Sequence, residues 1–365
     1  MLEIENEIIR RNIMMKKSGI LALVAVLLVA VLVFAACSPA TPAAESSAPA
    51  DDASPASSGE ASASAADSGK KLKFGEIAHD RALEWVNYGV QNFEYTCEQL
   101  GVEPVVIDAQ NDMEKVLAGM EDLLSQDVDA VSVYSFSPDL DARVAQMARD
   151  AGIPIVFENA VPADSVDRDA VTCCTYYDIG YAAAKMIGDK YPGSKFVYIM
   201  GQPGMNITEP YNDGIAAAIA DGADTEMVES APTNWTAEEG MNATQNLIQS
   251  GKEFDVIFAN NEQIAQGVVK ALDAAGLKDK IPIIATGGSP LGVEMLESGD
   301  LYGTIAAPTS YMGALSAKKL YDLTNGKAVE EMTYLPLLPA TKEEIDQIIP
   351  WTPGAEVIEA IGGLD

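Results

Sequence analysis

Two stretches of this chain are echoed by two others in the same order, and that repetition limits the folds open to it. AGMEDLLSQDVDAVSVYS (118–135) answers to ATQNLIQSGKEFDVIFAN (243–260), and MARDAGIPIVFEN (147–159) answers to LDAAGLKDKIPIIATGG (272–288). Each unit is an amphipathic helix feeding a short apolar strand. In both copies of the second unit a glycine, Gly152 or Gly276, stands where a helix would end in a left-handed cap. In both, Ile-Pro-Ile opens the next strand, where proline is tolerated at the first position. The order and spacing predict real internal symmetry.

The same alternation begins at Leu72. KLKFGEIA (71–78) reads as a strand, Leu83 to Leu100 as a helix closed by Gly101, and VVIDA (105–109) as a strand. In DMEKVLAGMEDLLSQ the apolar positions Val116, Leu117, Met120, Leu123 and Leu124 follow helical spacing. AVSVYSF (130–136), a helix to Ala151 and IPIVFEN (153–159) continue the pattern. Strand and helix in strict turn predict an α/β fold with parallel sheets flanked by helices. Residues 71–365 are too many for one core, so two similar Rossmann-like lobes are expected. Ligands of such sheets sit beyond the carboxyl ends of the strands. Two facing lobes would enclose one cleft there, which nominates His79, Asp80 and Arg81; Ser135 and Phe136; Glu158 and Asn159; Gln202 and Pro203; Asn260, Asn261 and Glu262; and Thr286 to Gly288.

Upstream the texture is different. Ile20–Phe34 is an unbroken apolar run after Lys16 and Lys17, and Ala35 and Ala36 precede Cys37. This is the pattern of a bacterial lipoprotein signal, cut before Cys37, whose thiol then takes a diacylglycerol. The run is shorter than the roughly 20 residues a membrane span needs. Translation from Met14 or Met15 would lose nothing the signal requires. From Ser38 to Gly69 the chain is almost wholly Ser, Ala, Pro, Gly and acid, which cannot bury enough surface to offset its chain entropy. The expected organisation is a signal peptide at 1–36, a disordered tether at 37–70, a lobe from 71–175 plus 308–335, a second lobe from 176–307 plus 336–345, and a tail at 346–365. The expected location is the outer face of the bacterial cytoplasmic membrane, held by lipid alone.

Charge and cysteines agree. A formal net charge of -32 repels nucleic acid and suits a soluble extracytoplasmic body. Cys97, Cys173 and Cys174 are an odd trio with two adjacent members, which reads as buried small side chains and not as a disulfide framework.

IFANNEQIAQGVVKALDAAG (257–276), GDLYGTIAAPTSYMGALSAKKL (299–320) and LPATKEEID (338–346) resemble, in this order, segments of the type I solute-binding proteins of sugar ABC transporters, the ribose and galactose group. The likeness runs from about residue 72 to 345. It implies two lobes joined by a three-strand hinge, crossing near Thr175, Pro308 and Leu335, that close on a small polar solute and then dock on an ABC permease. It implies no cofactor, no metal and a monomer. Carried over position by position, Trp85 and Trp235 match the aromatics that stack on the solute from the two lobes, and Asn261 matches a ligand-bonding Asn. Aromatic faces offer area to a ring at little entropic cost, and planar amides fix hydroxyls directionally. Asn261 could equally cap the helix that follows it.

Departures from the pattern matter. Glu158 and Asn159 stand where the family has an Asp-Arg fork. Thr208, Glu209 and Pro210 stand near the place of a further Arg, and Gly287 replaces an Asp. Ala307 or Pro308 replaces a Gln. Most of the charged clamp is gone, leaving Glu158 and Arg81 as replacements, so the resemblance does not imply ribose, glucose or galactose. A modified sugar or a nucleoside fits as well. His79 could bond ligand or be a loop histidine; Asp80 and Glu209 are further candidates, and Tyr177, like its neighbour Tyr176, could line the cleft or pack at the hinge. Trp351, in the tail, receives no role.

Other classes lack their residues. One histidine with two neighbouring cysteines does not supply a metal hydrolase, GGSPLG (287–292) is not the Gly-x-Ser-x-Gly of a serine hydrolase, and GQPGMN (201–206) lacks the last glycine of a dinucleotide fingerprint. A lipoprotein that presents its solute to a membrane sensor needs the same cleft as a transport protein and remains the alternative.

Overall fold

The computed structural model describes residues 71–365 apart from Phe136, Met205 and Asn206; the leader, the tether and Cys37 lie outside the described residues. Two six-stranded sheets form the body. The first contains β1 (Lys73–Ala78), β2 (Glu103–Asp108), β3 (Ala130–Tyr134), β4 (Ile155–Asn159), β5 (Ala170–Cys173) and β11 (Met332–Tyr334). The second contains β6 (Ser194–Met200), β7 (Thr225–Pro232), β8 (Val256–Ala259), β9 (Ile283–Gly287), β10 (Gly303–Ala306) and β12 (Leu338–Ala340). Their orders are β11-β5-β4-β3-β1-β2 and β12-β10-β9-β8-β6-β7. Setting aside the last strand of each, both read 5-4-3-1-2, so the second sheet repeats the first. All neighbours are parallel except β10 and β12.

The helices are α1 (Glu84–Gln99), α2 (Met113–Ser125), α3 (Pro138–Ala151), α4 (Tyr176–Lys190), α5 (Thr208–Ala220), α6 (Ala237–Gln249), α7 (Glu262–Ala274), α8 (Pro290–Ser298), α9 (Thr309–Thr324) and α10 (Ala355–Ala360). The repeated segments of the sequence are α2–β3 against α6–β8, and α3–β4 against α7–β9. Starts are written locally. Asp112, Thr236, Asn261 and Ser289 each accept a backbone N–H at the head of a helix, and Pro138 and Pro290 open α3 and α8. α3 ends at Gly152 with φ of 69°, the left-handed cap its position predicts.

The chain passes between sheets after β5, after β10 and between β11 and β12. α4 packs beside the second sheet and α9 beside the first, so each follows a crossing and braces the lobe it enters. Both are held by backbone-to-backbone approach. A methyl on Gly214 of α5 would lie 1.9 Å from the Tyr177 carbonyl of α4, and one on Gly313 of α9 would lie 2.0 Å from the Gly89 carbonyl of α1.

The cores are apolar, aliphatic and aromatic, and the first lobe's also encloses acids within its sheet. Glu76 of β1 and Glu158 of β4 are both enclosed in the first lobe. Ser132 donates to Glu158 Oε1 at 2.6 Å. Burial pushes both carboxyls up, and at Glu76 the Glu158 charge opposes ionisation further. Cys97, Cys173 and Cys174 are buried free thiols, and burial pushes Cys173 up to about 11, which keeps it protonated and inert.

The tail is part of the fold. Ile345 and Ile348 pack into the second lobe's core. The chain then returns to the first, where Asn92 donates to the Trp351 carbonyl at 2.7 Å and Ser310 to the Pro350 carbonyl at 2.7 Å. Val357 and Ile361 finish the passage against Ala314 and Leu315 of α9. Among the described residues no helix is long and apolar enough to cross a membrane.

The glycine contacts give a test of the bracing. Gly214→Ala should cost about 1–3 kcal/mol, as overpacking does, and lower Tm by roughly 2–4 °C for each kcal/mol in a chain of this size. Calorimetry showing no loss would mean that α4 and α5 can separate freely.

Candidate functional site

Strand ends and helix starts from both lobes meet around one cavity of about 90 Å3, counted as space for water centres. A cavity needs only about 10–15 Å3 to hold one water, so this space admits a small solute. The first lobe contributes His79, Glu84, Trp85 and Tyr134; the second contributes Tyr176, Ile179, Tyr211, Trp235, Asn260, Asn261, Glu262 and Thr286; the tail contributes Trp351. Six of these are Trp or Tyr, and no Lys or Arg is among them.

Trp235 is held in an unusual backbone state. Its φ is 63°, a left-handed conformation that bulky residues rarely adopt. The indole compensates by donating to Asn260 Oδ1 at 2.6 Å, and Asn260 donates in turn to the Tyr198 hydroxyl at 2.7 Å. The ring lies over Gly201 at the end of β6, where a methyl would stand 2.0 Å from its Nε1. Only glycine leaves room for it. Asn261 closes the turn: its Oδ1 accepts from the Ile264 N–H at 2.8 Å and its Nδ2 donates to the Trp235 carbonyl at 3.3 Å. It therefore caps α7 and lines the cavity at once.

Below the cavity Tyr176 stacks on Tyr211 at 5.6 Å, Tyr211 on Tyr198 at 5.9 Å, and Tyr198 on Phe258 at 4.9 Å. The Tyr176 hydroxyl donates to Asn159 Oδ1 at 2.5 Å. Asn159, with φ of 76°, belongs to the first lobe and Tyr176 to the helix entering the second.

On the other wall Trp85 meets Trp351 edge-on at 5.5 Å, and Thr309 donates to the Trp85 carbonyl at 2.9 Å. Neither the Trp85 nor the Trp351 indole N–H has a partner among the described residues, so both are donors that a solute could use. His79 packs against Tyr134 at 5.4 Å. Burial lowers its pKa, against the opposing pull of Asp80, so the imidazole is neutral at pH 7.

Of the residues nominated from sequence, His79, Trp85, Tyr176, Trp235, Asn260, Asn261, Glu262 and Thr286 lie in the lining, whereas Asp80, Arg81, Glu158, Asn159, Tyr177 and Glu209 do not. Asp80 accepts from the Ala82 N–H in a turn. Arg81 pairs with Glu94 at 3.4 Å and donates to Asn87, two acceptors that hold it outside. Glu158 is still within β4, so its side chain projects from the sheet face into the core instead of past the strand end. Asn159 acts one layer back, through Tyr176. Tyr177 is 44% exposed and stacks on Tyr181; adjacent helical residues diverge by about 100°, so only Tyr176 faces in. Glu209 is exposed and accepts from the Gly204 N–H at 3.3 Å.

Trp351 receives no role from the sequence, because a tail's path is not periodic, and Glu262 is nominated only by its place after a strand. Glu262 follows a strand like Asn261 but reads as a first-turn acid. Its carboxyl fills the space a side chain at Gly287 would take, with Oε2 1.9 Å from the place of that missing Cβ. The Gly288 N–H donates to its Oε1 at 2.6 Å and Thr304 at 2.9 Å. The acid absent from the strand is thus supplied from the helix.

The comparisons now bear on this geometry. Residues 74–328 match the periplasmic binding protein domain. A putative rhizopine-binding protein of Rhizobium meliloti is 28% identical over 266 residues, covering 70% of this chain and 85% of the relative. The ribose import binding protein of Bacillus subtilis is 26% identical over 254 residues, 69% of this chain and 82% of the relative. Among solved structures, an ABC transporter solute-binding protein from Bacillus halodurans with bound myo-inositol has a TM-score of 0.72 at 24% identity, covering 78% of this chain and 98% of that one. One from Actinobacillus succinogenes with bound D-allose has a TM-score of 0.71 at 23% identity, covering 76% and 100%. Two α/β lobes around a shared cavity are the architecture these solute-binding proteins share. The chain belongs to the periplasmic binding protein family.

The buried acid sets a pH dependence. Burial pushes Glu262 up to about 8, with the Gly288 and Thr304 hydrogen bonds pulling the other way. A carboxyl whose folded pKa is raised stabilises the fold in acid, fully below the unfolded value near 4.5, and loses that stabilisation as pH rises through about 8. At about 1.4 kcal/mol per unit, the ligand-free protein should lose on the order of 3 kcal/mol more between pH 5 and 8 than Glu262→Gln does. Parallel denaturant curves for the two proteins would rule the buried acid out as the cause.

Proposed function

We propose that this chain is the lipid-anchored capture subunit of an ABC importer for a small cyclic polar solute, a sugar or sugar derivative. One observation carries the reading: a single aromatic-walled cavity is built jointly by both lobes and lies at the chain's crossings between them. A solute that touches both walls binds the closed arrangement better than an open one and so shifts the population toward it. The closed outer faces would then be what a permease reads. Names of relatives favour ring-shaped polyols: ribose and fructose import, and bound myo-inositol and D-allose. Trp85 and Trp235, from opposite lobes, would cover the two faces of such a ring, and the free indole N–H groups of Trp85 and Trp351 would meet its hydroxyls.

Anchoring follows from the sequence before residue 71. Acylated Cys37 would hold the body at the outer face of the cytoplasmic membrane, and the Ser/Ala/Pro-rich tether would set its reach. Replacing Cys37 by Ser should move the protein from the membrane fraction to the soluble extracytoplasmic fraction. Retention at the membrane would dismiss the lipid anchor.

The solute reading is tested by thermal shift against monosaccharides, cyclitols, nucleosides and amino acids. A ligand at about a hundred times its Kd adds roughly 2.7 kcal/mol. With the responding solute in hand, Trp235→Ala and Gly201→Ala should each weaken binding at least about tenfold, or 1.4 kcal/mol, the second by evicting the indole. A response to amino acids alone would remove the sugar, and unchanged affinity in both variants would remove Trp235 from the pocket.

A further inference from the structure

We propose that the solute carries a positively charged nitrogen on a compact ring, so that the cavity selects an amine-bearing sugar or cyclitol over its neutral hydroxyl counterpart. The proposal rests on the reading of the chain as a binder of cyclic polyols and narrows its ligand class.

The charges in the cavity have one sign. Glu84, the first residue of α1, enters from one lobe, and Glu262, the first residue of α7, from the other. No lysine or arginine is among the described lining residues, and His79 is held neutral by its burial. Acids are common in the first turn of helices because the helix dipole favours them there. Such acids are usually solvated, whereas Glu262 is 2% exposed and Glu84 is more than half enclosed. Burial opposes ionisation of both, and the Glu84 charge opposes that of Glu262 in addition. Two carboxyls that face one dry space are driven toward protonation, and a positive group placed between them is what lets both ionise. A neutral ring can donate hydrogen bonds to the carboxylates but cannot compensate their charge.

The walls point the same way. Trp85, Tyr134, Tyr176, Tyr211, Trp235 and Trp351 surround the space, and the face of an aromatic ring attracts a cation by its quadrupole, most strongly when water is excluded. Room for the buried acid is provided on purpose by the backbone: side chains at Gly287 or Gly292 would collide with the Glu262 carboxyl. Cation and closure are therefore linked, since a nitrogen bridging Glu84 and Glu262 joins the lobes.

The test is isothermal titration of the full chain in mild detergent with matched pairs: D-glucosamine against D-glucose, and an amino-substituted inositol against myo-inositol, with choline as a ringless cation. In at least one pair the amine should bind at least about tenfold tighter. Glu84→Gln and Glu262→Gln should each shrink that ratio several-fold, and Glu84→Gln, at the half-buried position, serves if Glu262→Gln does not fold. Neutral partners binding as well as or better than their amines would overturn the inference and leave the cyclic-polyol reading standing. Choline alone binding would support the cation and overturn the polyol. No heat from any of these probes would overturn both.

Discussion

The hydrogen bond from the Tyr176 hydroxyl to Asn159 Oδ1 ties the site to both lobes. It joins the end of β4 in one lobe to the first turn of the helix that enters the other, immediately beneath the cavity. Asn159 adopts a left-handed backbone to present its oxygen, which Asn tolerates better than most residues. From Tyr176 the stack of Tyr211, Tyr198 and Phe258 carries the contact into the second lobe's core. The floor of the cavity is thereby rigid, and motion between lobes must come from the crossings on either side of it.

The roof is built differently. Trp235 is fixed by its indole hydrogen bond and by the absence of a side chain at Gly201, while Trp85 is fixed from behind by Thr309 and edge-on by Trp351. These are all contacts between residues far apart in sequence. A solute meets preformed aromatic faces and gives up little entropy to organise them. The acids on either side of that roof would, on the amine proposal, make its selectivity electrostatic as well as steric.

Much of the architecture was legible because it is periodic. Helical spacing, glycine caps and an internal repeat are written in neighbouring residues, and the two sheets follow the same strand order that the repeat predicts. The class of protein was legible from ordered segments after the strands. Eight of the nominated side chains stand in the cavity wall, among them His79, Trp85, Trp235 and Asn261. Position after a strand places a residue near the cleft but does not say which way its side chain turns. Arg81 went to Glu94, Glu158 stayed on the sheet face, and Tyr177 lost its place to Tyr176 through a single step of helical rotation.

By itself the sequence determined the lobes, the alternation of elements, the glycine turns and the lipoprotein-like leader, because each depends on residues close together along the chain. Only the tertiary structure decided that a tail tryptophan completes the wall, that a helix carboxyl fills the space left at Gly287, and that no Lys or Arg is among the described residues lining the cavity. The reason is physical: those features arise where segments distant in sequence compete for one small volume, and the outcome depends on shape and burial that no local pattern records.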